Sequence, residues 1–284
     1  MQQAIDAAEA APAIQTSTLA ELGARLPIGI VGPDEAVHRD VECKEWRGRE
    51  EREVEKLKRK TRQKGDFISR LLGYMFSRVG PFEFAAMQPA EIKAAISKLW
   101  RADAMYLYLW LRHECIGPDL DLELTCRHCG FRIAWQGDIR TLEVKTTDEP
   151  TGLNWTYEVA RPFELRGTTI KSIGLRPSRW HLFEELARKA VAEGDTGVVS
   201  VDLIRDCIVA LNGEPEGRPL VATDLDLMTK RDLERLSAEI DRRELGPDLS
   251  VTETCPRCSL QFQTSLDWGY ASFFAISSRS TGGG

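Results

Sequence analysis

The 284-residue sequence predicts an α+β fold in which one helical unit is used twice. Each copy should open on a β-hairpin and close on a second hairpin carrying two cysteines. Three observations carry this expectation. The stretch IGPDLDLELTCRHCGF, Ile116 to Phe131, returns as LGPDLSVTETCPRCSL, Leu245 to Leu260, at an offset of 129. From Gly117 to Cys129 there are 7 identities in 13 ungapped positions, where average composition would give about one by chance. The same offset takes EKLKRK (Glu55–Lys60) to EELARK (Glu184–Lys189), and Asp103, Leu107 and Leu111 to Asp232, Leu236 and Ile240.

Two copies are too few for a solenoid, which needs at least three. A pseudo-twofold pair of lobes is expected instead, over residues 26–145 and 155–276. Residues 1–25 form an N-terminal arm in this reading, with Met1 to Ser17 either a frayed helix or a segment that orders on a partner. Residues 146–154, TTDEPTGLN, read as the linker, and 277–284, SSRSTGGG, as a flexible tail with nothing to bury.

Within each copy the elements follow one order. WTYEV alternates at Trp155, Tyr157 and Val159, and FELRGTTIKSIGL reads as a hairpin turning near Arg166-Gly167. A charged helix comes next, Arg49 to Lys64 or Ser178 to Glu193. It is followed by an amphipathic one, in which Phe67, Ile68, Leu71, Leu72, Met75, Phe76 and Val79 recur at helical spacing. Leu203, Ile204, Cys207, Ile208 and Leu211 repeat the pattern. A further helix, Pro89 to Glu114 with a possible break near Ala102-Asp103, or Leu227 to Glu244, runs into Gly-Pro. The helix stops there because proline forces its predecessor out of helical geometry.

Composition sets outer bounds. Hydrophobic residues make up 42% of the chain and charged ones 29%, ordinary values for a globular protein of about two domains. A formal net charge of −6 argues against a general nucleic-acid coat. The densest apolar run, MYLYLWL, is far shorter than the roughly 20 residues a membrane span requires. The N-terminus lacks a secretory-signal pattern, so a reducing cytosol is expected, where disulfides are rare. Seven cysteines, four of them in CxxC pairs, then point to metal.

A CxxC between two alternating stretches reads as a knuckle at a hairpin tip, converging two thiolates on one point. Structural zinc takes four ligands in a tetrahedron. Cys126, Cys129, Cys255 and Cys258 could together supply them and bind the lobes through one shared Zn2+. A redox CxxC would sit at a helix N-terminus, whereas FRI and LQF after the second cysteines read as strand. His128 lies between two ligands and should point outward. Cys43, Cys115 and Cys207 read as small buried hydrophobes, and His38, His113 and His181 suggest no triad. The basic run KLKRKTRQK follows EEREVE and lacks interleaved aromatics, so it reads as a solvated helix face. There is no phosphate loop, HExxH or paired-carboxylate constellation, and nothing in the residues supports an enzyme or a small-molecule substrate.

The string ELGPDLSVTETCPRCSLQFQTSLDWGYASFF resembles the C-terminal zinc-knuckle hairpin of baseplate and baseplate-hub assembly proteins of contractile-tailed bacteriophages and related injection systems. LPIGIVGPDEAVHRDVECKEWRGREE is similar to the start of those proteins, and ARPFELRGTTIKSIGLRPSRWHLFEEL resembles tail assembly chaperones. The resemblance implies a non-enzymatic role in building or forming the tail tip. It implies partners among tail, hub or tape-measure proteins and a place in the host cytoplasm during assembly or in the virion tail. It carries over to Cys126, Cys129, Cys255 and Cys258 only, and Ser259 departs from the glycine usual after the second knuckle. The alternative is a zinc-ribbon module that binds nucleic acid.

Overall fold

Apolar residues at period two and period 3.6 alternate along this chain, and the computed structural model follows them into a mixed α+β fold with several antiparallel sheets. It describes residues 14–61, 64–150, 153–185, 197–215 and 220–266. The first half runs β1 (Ile14–Thr18), α1 (Leu19–Leu22), β2 (Arg25–Val31), β3 (Val37–Cys43), α2 (Gly48–Lys60) and α3 (Lys64–Met75). It continues with β4 (Phe76–Val79), β5 (Phe82–Glu83), α4 (Pro89–Ser97), α5 (Arg101–Ile116), β6 (Asp119–Thr125), β7 (Arg132–Asp138) and β8 (Glu143–Thr147). The second half runs β9 (Trp155–Leu165), β10 (Thr168–Leu175), α6 (described over 180–185), α7 (Gly197–Cys207), β11 (Ile208–Leu211) and β12 (Glu214–Pro215). It ends with α8 (Ala222–Leu225), α9 (Lys230–Arg243), β13 (Gly246–Pro247), β14 (Ser250–Thr254) and β15 (Gln261–Ser265).

The strands form sheets of order β2-β3-β4-β5 and β12-β11-β10-β9, two hairpins β6-β7 and β14-β15, and a three-stranded sheet β1-β8-β13. The β9–β10 turn falls at Arg166-Gly167, where φ is 51° and 82°. Both residues are left-handed, as a two-residue turn matched to strand twist requires.

Helix ends obey local chemistry. Thr229 caps α9 by accepting from the Asp232 amide at 3.2 Å. α5 ends at Gly117, whose φ of 116° few other residues would tolerate, and Pro118 follows. Along α5, Ala104, Tyr106, Leu107, Tyr108, Leu109 and Leu111 are all fully buried, so this helix is enclosed on nearly every face and forms the centre of the first core. The second core gathers β9, β10, α7 and α9 around Leu175, Cys207, Leu236 and Ile240.

Several expectations need correction. The apolar series Phe67 to Val79 is not one helix: α3 stops at Met75, and Phe76 to Val79 form β4. Phe76 and Val79 are buried from a strand, so the spacing of three survives although the geometry changes. Ile208 and Leu211 likewise lie in β11. The helix expected from Pro89 to Glu114 is two, α4 and α5, parted at 98–100 rather than at Ala102-Asp103. Leu227 to Glu244 shortens to α9.

Ile14 to Thr18, expected as part of a frayed helix or of an arm that orders on a partner, form a strand paired with β8 of the same chain, and Leu19 behind them is fully buried. Thr146 and Thr147, assigned to the linker, end β8 and are buried. Residues 1–13, the second half of the expected helix from Ser178 to Glu193, and the tail at 277–284 lie outside the described residues.

The halves are also more entangled than two separate lobes. Trp180 of α6 is fully buried in the first core, with Phe183 beside it, and donates its indole N–H to Ser69 Oγ at 2.7 Å. Leu249, Val251 and Leu266 of the second half pack on that same core, and Gly246-Pro247 pair with β8.

Candidate metal centre

Each knuckle is built by its hairpin. Thr125 pairs with Arg132 at the end of β6-β7, and Thr254 with Gln261 at the end of β14-β15. Adding 129 to one pair gives the other, so both tips have one register. In the first tip the Cys126 amide donates to the Phe131 carbonyl at 2.9 Å and the Gly130 amide to the Cys126 carbonyl at 2.9 Å. In the second, Cys255 N–H donates to Leu260 O at 3.0 Å and Ser259 N–H to Cys255 O at 2.9 Å. Gly130 has φ 69° and Ser259 φ 58°. The serine therefore adopts the same left-handed geometry that Gly130 has at the matching position of the first tip.

The hairpins meet tip to tip, and the structure brings all four expected cysteines together. Their sulfurs lie within 4.8 Å of one another. Cys126 Sγ is 3.8 Å from Cys258 Sγ, and Cys129 Sγ is 3.7 Å from Cys255 Sγ. A disulfide would need about 2.05 Å, so these are not bonded sulfurs. Four sulfurs placed tetrahedrally about 2.3 Å from a zinc would be about 3.8 Å apart. The geometry is that of a four-thiolate cage compatible with a structural metal.

Cys126 and Cys255 are buried, with Phe262 and Ile133 packed over them. Burial opposes a thiolate at Cys255, but the Cys258 and Arg257 backbone amides, with the Cys129 and Cys126 thiols, draw its pKa down to about 6. Cys129 moves the other way, to about 11. The Phe131 backbone favours its thiolate, but burial and the three neighbouring thiols outweigh that help. One thiol thus ionises at the expense of another, and four thiolates can share this volume only around a cation.

Strand, not helix, follows each CxxC, so no helix dipole serves a redox cysteine here. His128 stands outside the thiol group, its Nε2 3.3 Å from the Gln261 carbonyl. Arg127 reaches across to the Gln263 carbonyl, and Trp135 Nε1 donates to Glu253 Oε1 at 3.0 Å. These ties between the hairpins leave no trace in the sequence pattern, because each joins residues more than 100 positions apart.

The other cysteines stay apart from the cage. Cys207 is fully buried and Cys43 and Cys115 half-buried, and burial pushes the Cys207 and Cys115 thiols to about 12. The basic run ends α2, where Lys56 pairs with Glu53 at 2.6 Å and Lys58 with Glu55. Among the described residues, no other His, Cys, Asp and Glu group has ligand geometry, and no helix is long and apolar enough to cross a membrane. Comparison of the chain with known protein families, with curated proteins and with solved structures gives no match.

Proposed function

We propose that this protein is a structural or assembly component of a contractile phage tail baseplate or hub, with two duplicated halves stapled by one structural zinc on Cys126, Cys129, Cys255 and Cys258. The observation that carries the zinc is the meeting of two distant CxxC tips at tetrahedral sulfur spacing. Four protein ligands leave no open position for a reacting water, which favours structure over catalysis.

Duplication is supported by the shared order of elements, by the two four-stranded sheets and by the common register of the hairpins. It is supported too by β1-β8, where Thr16 pairs with Lys145, its own counterpart at the offset of 129. An antiparallel pair in which a residue meets its counterpart has a local twofold axis between its strands. The tail role rests on the resemblance of the knuckle and opening segments.

Deleting the gene from a contractile-tailed phage that carries it tests that role. Loss of tail tips, restored by the wild-type chain, supports it; intact, infective tails overturn it.

One observation favours the second reading, a nucleic-acid module: Arg127, His128, Arg132 and Arg257 are exposed around the knuckle tips, as is Phe131. Against it, Arg127 is held by the Gln263 carbonyl and Arg132 lies 3.2 Å from Glu123. A zinc with four thiolates would also carry two negative charges for these cations to offset. Gel shifts across a salt series separate the readings, since phosphate contacts weaken steeply with salt.

A further inference from the structure

Far from the cysteines in chemistry, the first half holds a cleft of ≈ 640 Å³ between α3 and α4. Leu57, Phe76, Phe84, Ile92 and Ile96 form its apolar walls. Three cations, Lys44, Arg70 and Lys93, stand around it. The single acid in its lining, Asp66, is already 2.9 Å from Arg70. Tyr74 completes the rim, with Lys44 Nζ 4.5 Å from its ring centre.

An apolar cleft with a net positive rim is unexpected on a chain of net charge −6. Nor does the repeat demand it. At the offset of 129, Lys44, Arg70 and Lys93 correspond to Ile173, Val199 and Ala222, so the unit is built in the second half without these charges. Two helices flanking an apolar trough, with aromatic and basic residues at its edge, match the way grooves receive an amphipathic helix.

We propose that the α3–α4 cleft is a docking site for an amphipathic helix of a partner protein, with its apolar stripe in the cleft and flanking Asp and Glu against Lys44, Arg70 and Lys93. The site needs neither the metal nor the tail role, and its test leaves both aside.

The test uses the purified full chain and two fluorescein-labelled helical peptides sharing one leucine stripe, flanked in one by glutamates and in the other by lysines. Fluorescence anisotropy should show the glutamate peptide binding at least tenfold tighter, with its affinity falling as salt rises. Ala90→Trp, which fills the exposed cleft edge, and Lys93→Glu, which reverses an exposed charge, should each weaken it tenfold or more. Helical circular dichroism should stay unchanged, and if Ala90→Trp misfolds, Lys93→Glu alone decides.

Equal affinity for the two peptides, no binding, or indifference to both variants would overturn the proposal. So would binding only after removal of residues 1–13, which would assign the cleft to the chain's own Asp6- and Glu9-bearing segment. An anilinonaphthalene-sulfonate dye that occupies the cleft and is displaced by neither peptide would assign it to a small anionic amphiphile instead.

Discussion

Cys126 Sγ stands 3.8 Å from Cys258 Sγ although 132 positions separate them, and exchanging the halves turns this pair into Cys255 and Cys129 at 3.7 Å. The four-cysteine cluster is therefore symmetric, while the cores beneath it are not. Both hairpins rest on the first core through Leu120, Leu124, Val251 and Leu266. Cys126→Ser or Cys255→Ser should abolish stoichiometric zinc and loosen the tips, leaving most helical signal intact. Hydrogen exchange tests this: the Gly130 and Ser259 amides should lose protection, while those of α5 keep theirs. An α5 that exchanges as fast as the tips would show the metal holding the whole fold.

Ser259 occupies a left-handed conformation, φ 58°, at the position where the first knuckle has Gly130. A non-glycine residue there costs about 1–2 kcal/mol. Ser259→Gly should therefore stabilise the zinc-loaded protein by about 1 kcal/mol in denaturant titration. The reciprocal Gly130→Ser should cost a similar amount. No atom lies within 4 Å of a Cβ built at Gly130, so backbone conformation alone would be responsible.

Trp180 predicts how the second half holds the first. It is fully buried, stacks on Phe183 at 4.8 Å and bonds Ser69. Trp180→Ala should cost about 3–5 kcal/mol, the usual range for emptying a buried aromatic site. Because the indole belongs to the first core and not to the cluster around the four cysteines, zinc content at low denaturant should be unchanged. A loss below 1 kcal/mol would mean that α6 is a surface appendage.

Asp103 predicts a pH dependence. Its carboxylate is fully buried, accepting from the Ile28 amide at 2.8 Å and the Gly29 amide at 3.2 Å. Burial raises its pKa from 3.8 to about 7, outweighing those amides and the charges of Arg39 and Arg179. A carboxyl with a raised folded pKa binds its proton more tightly when folded, so stability declines as pH rises from about 4 to 7 and then levels. Asp103→Asn should remove that slope. Between pH 5 and 8 the stability difference should shift in favour of the variant; a constant difference would contradict the assignment.

What could be read from the residues divides along local and non-local lines. The hairpin tips were legible because strand alternation and CxxC spacing each lie within a short window, and the offset of 129 matches one such window to another. The turn at Arg166-Gly167 is written in two adjacent residues. The switch from α3 to β4 was not legible, since Phe76 and Val79 keep an apolar interval of three that both geometries can bury. β1 was missed because Ile14 to Thr18 find their partner at 143–147, far along the chain. Trp180 gives no local sign that its pocket belongs to the other half. The four cysteines that meet were readable as a set, but the contacts that align the two tips, Arg127 to Gln263 and Trp135 to Glu253, were not.

The central claim is that one metal is shared between the halves by four thiolates. Zinc-edge X-ray absorption on the purified full chain, read together with metal content, tests it most directly. The account predicts one zinc per chain with four sulfurs at about 2.3 Å. Two metals per chain, or a first shell of two sulfurs completed by nitrogen or oxygen, would contradict it.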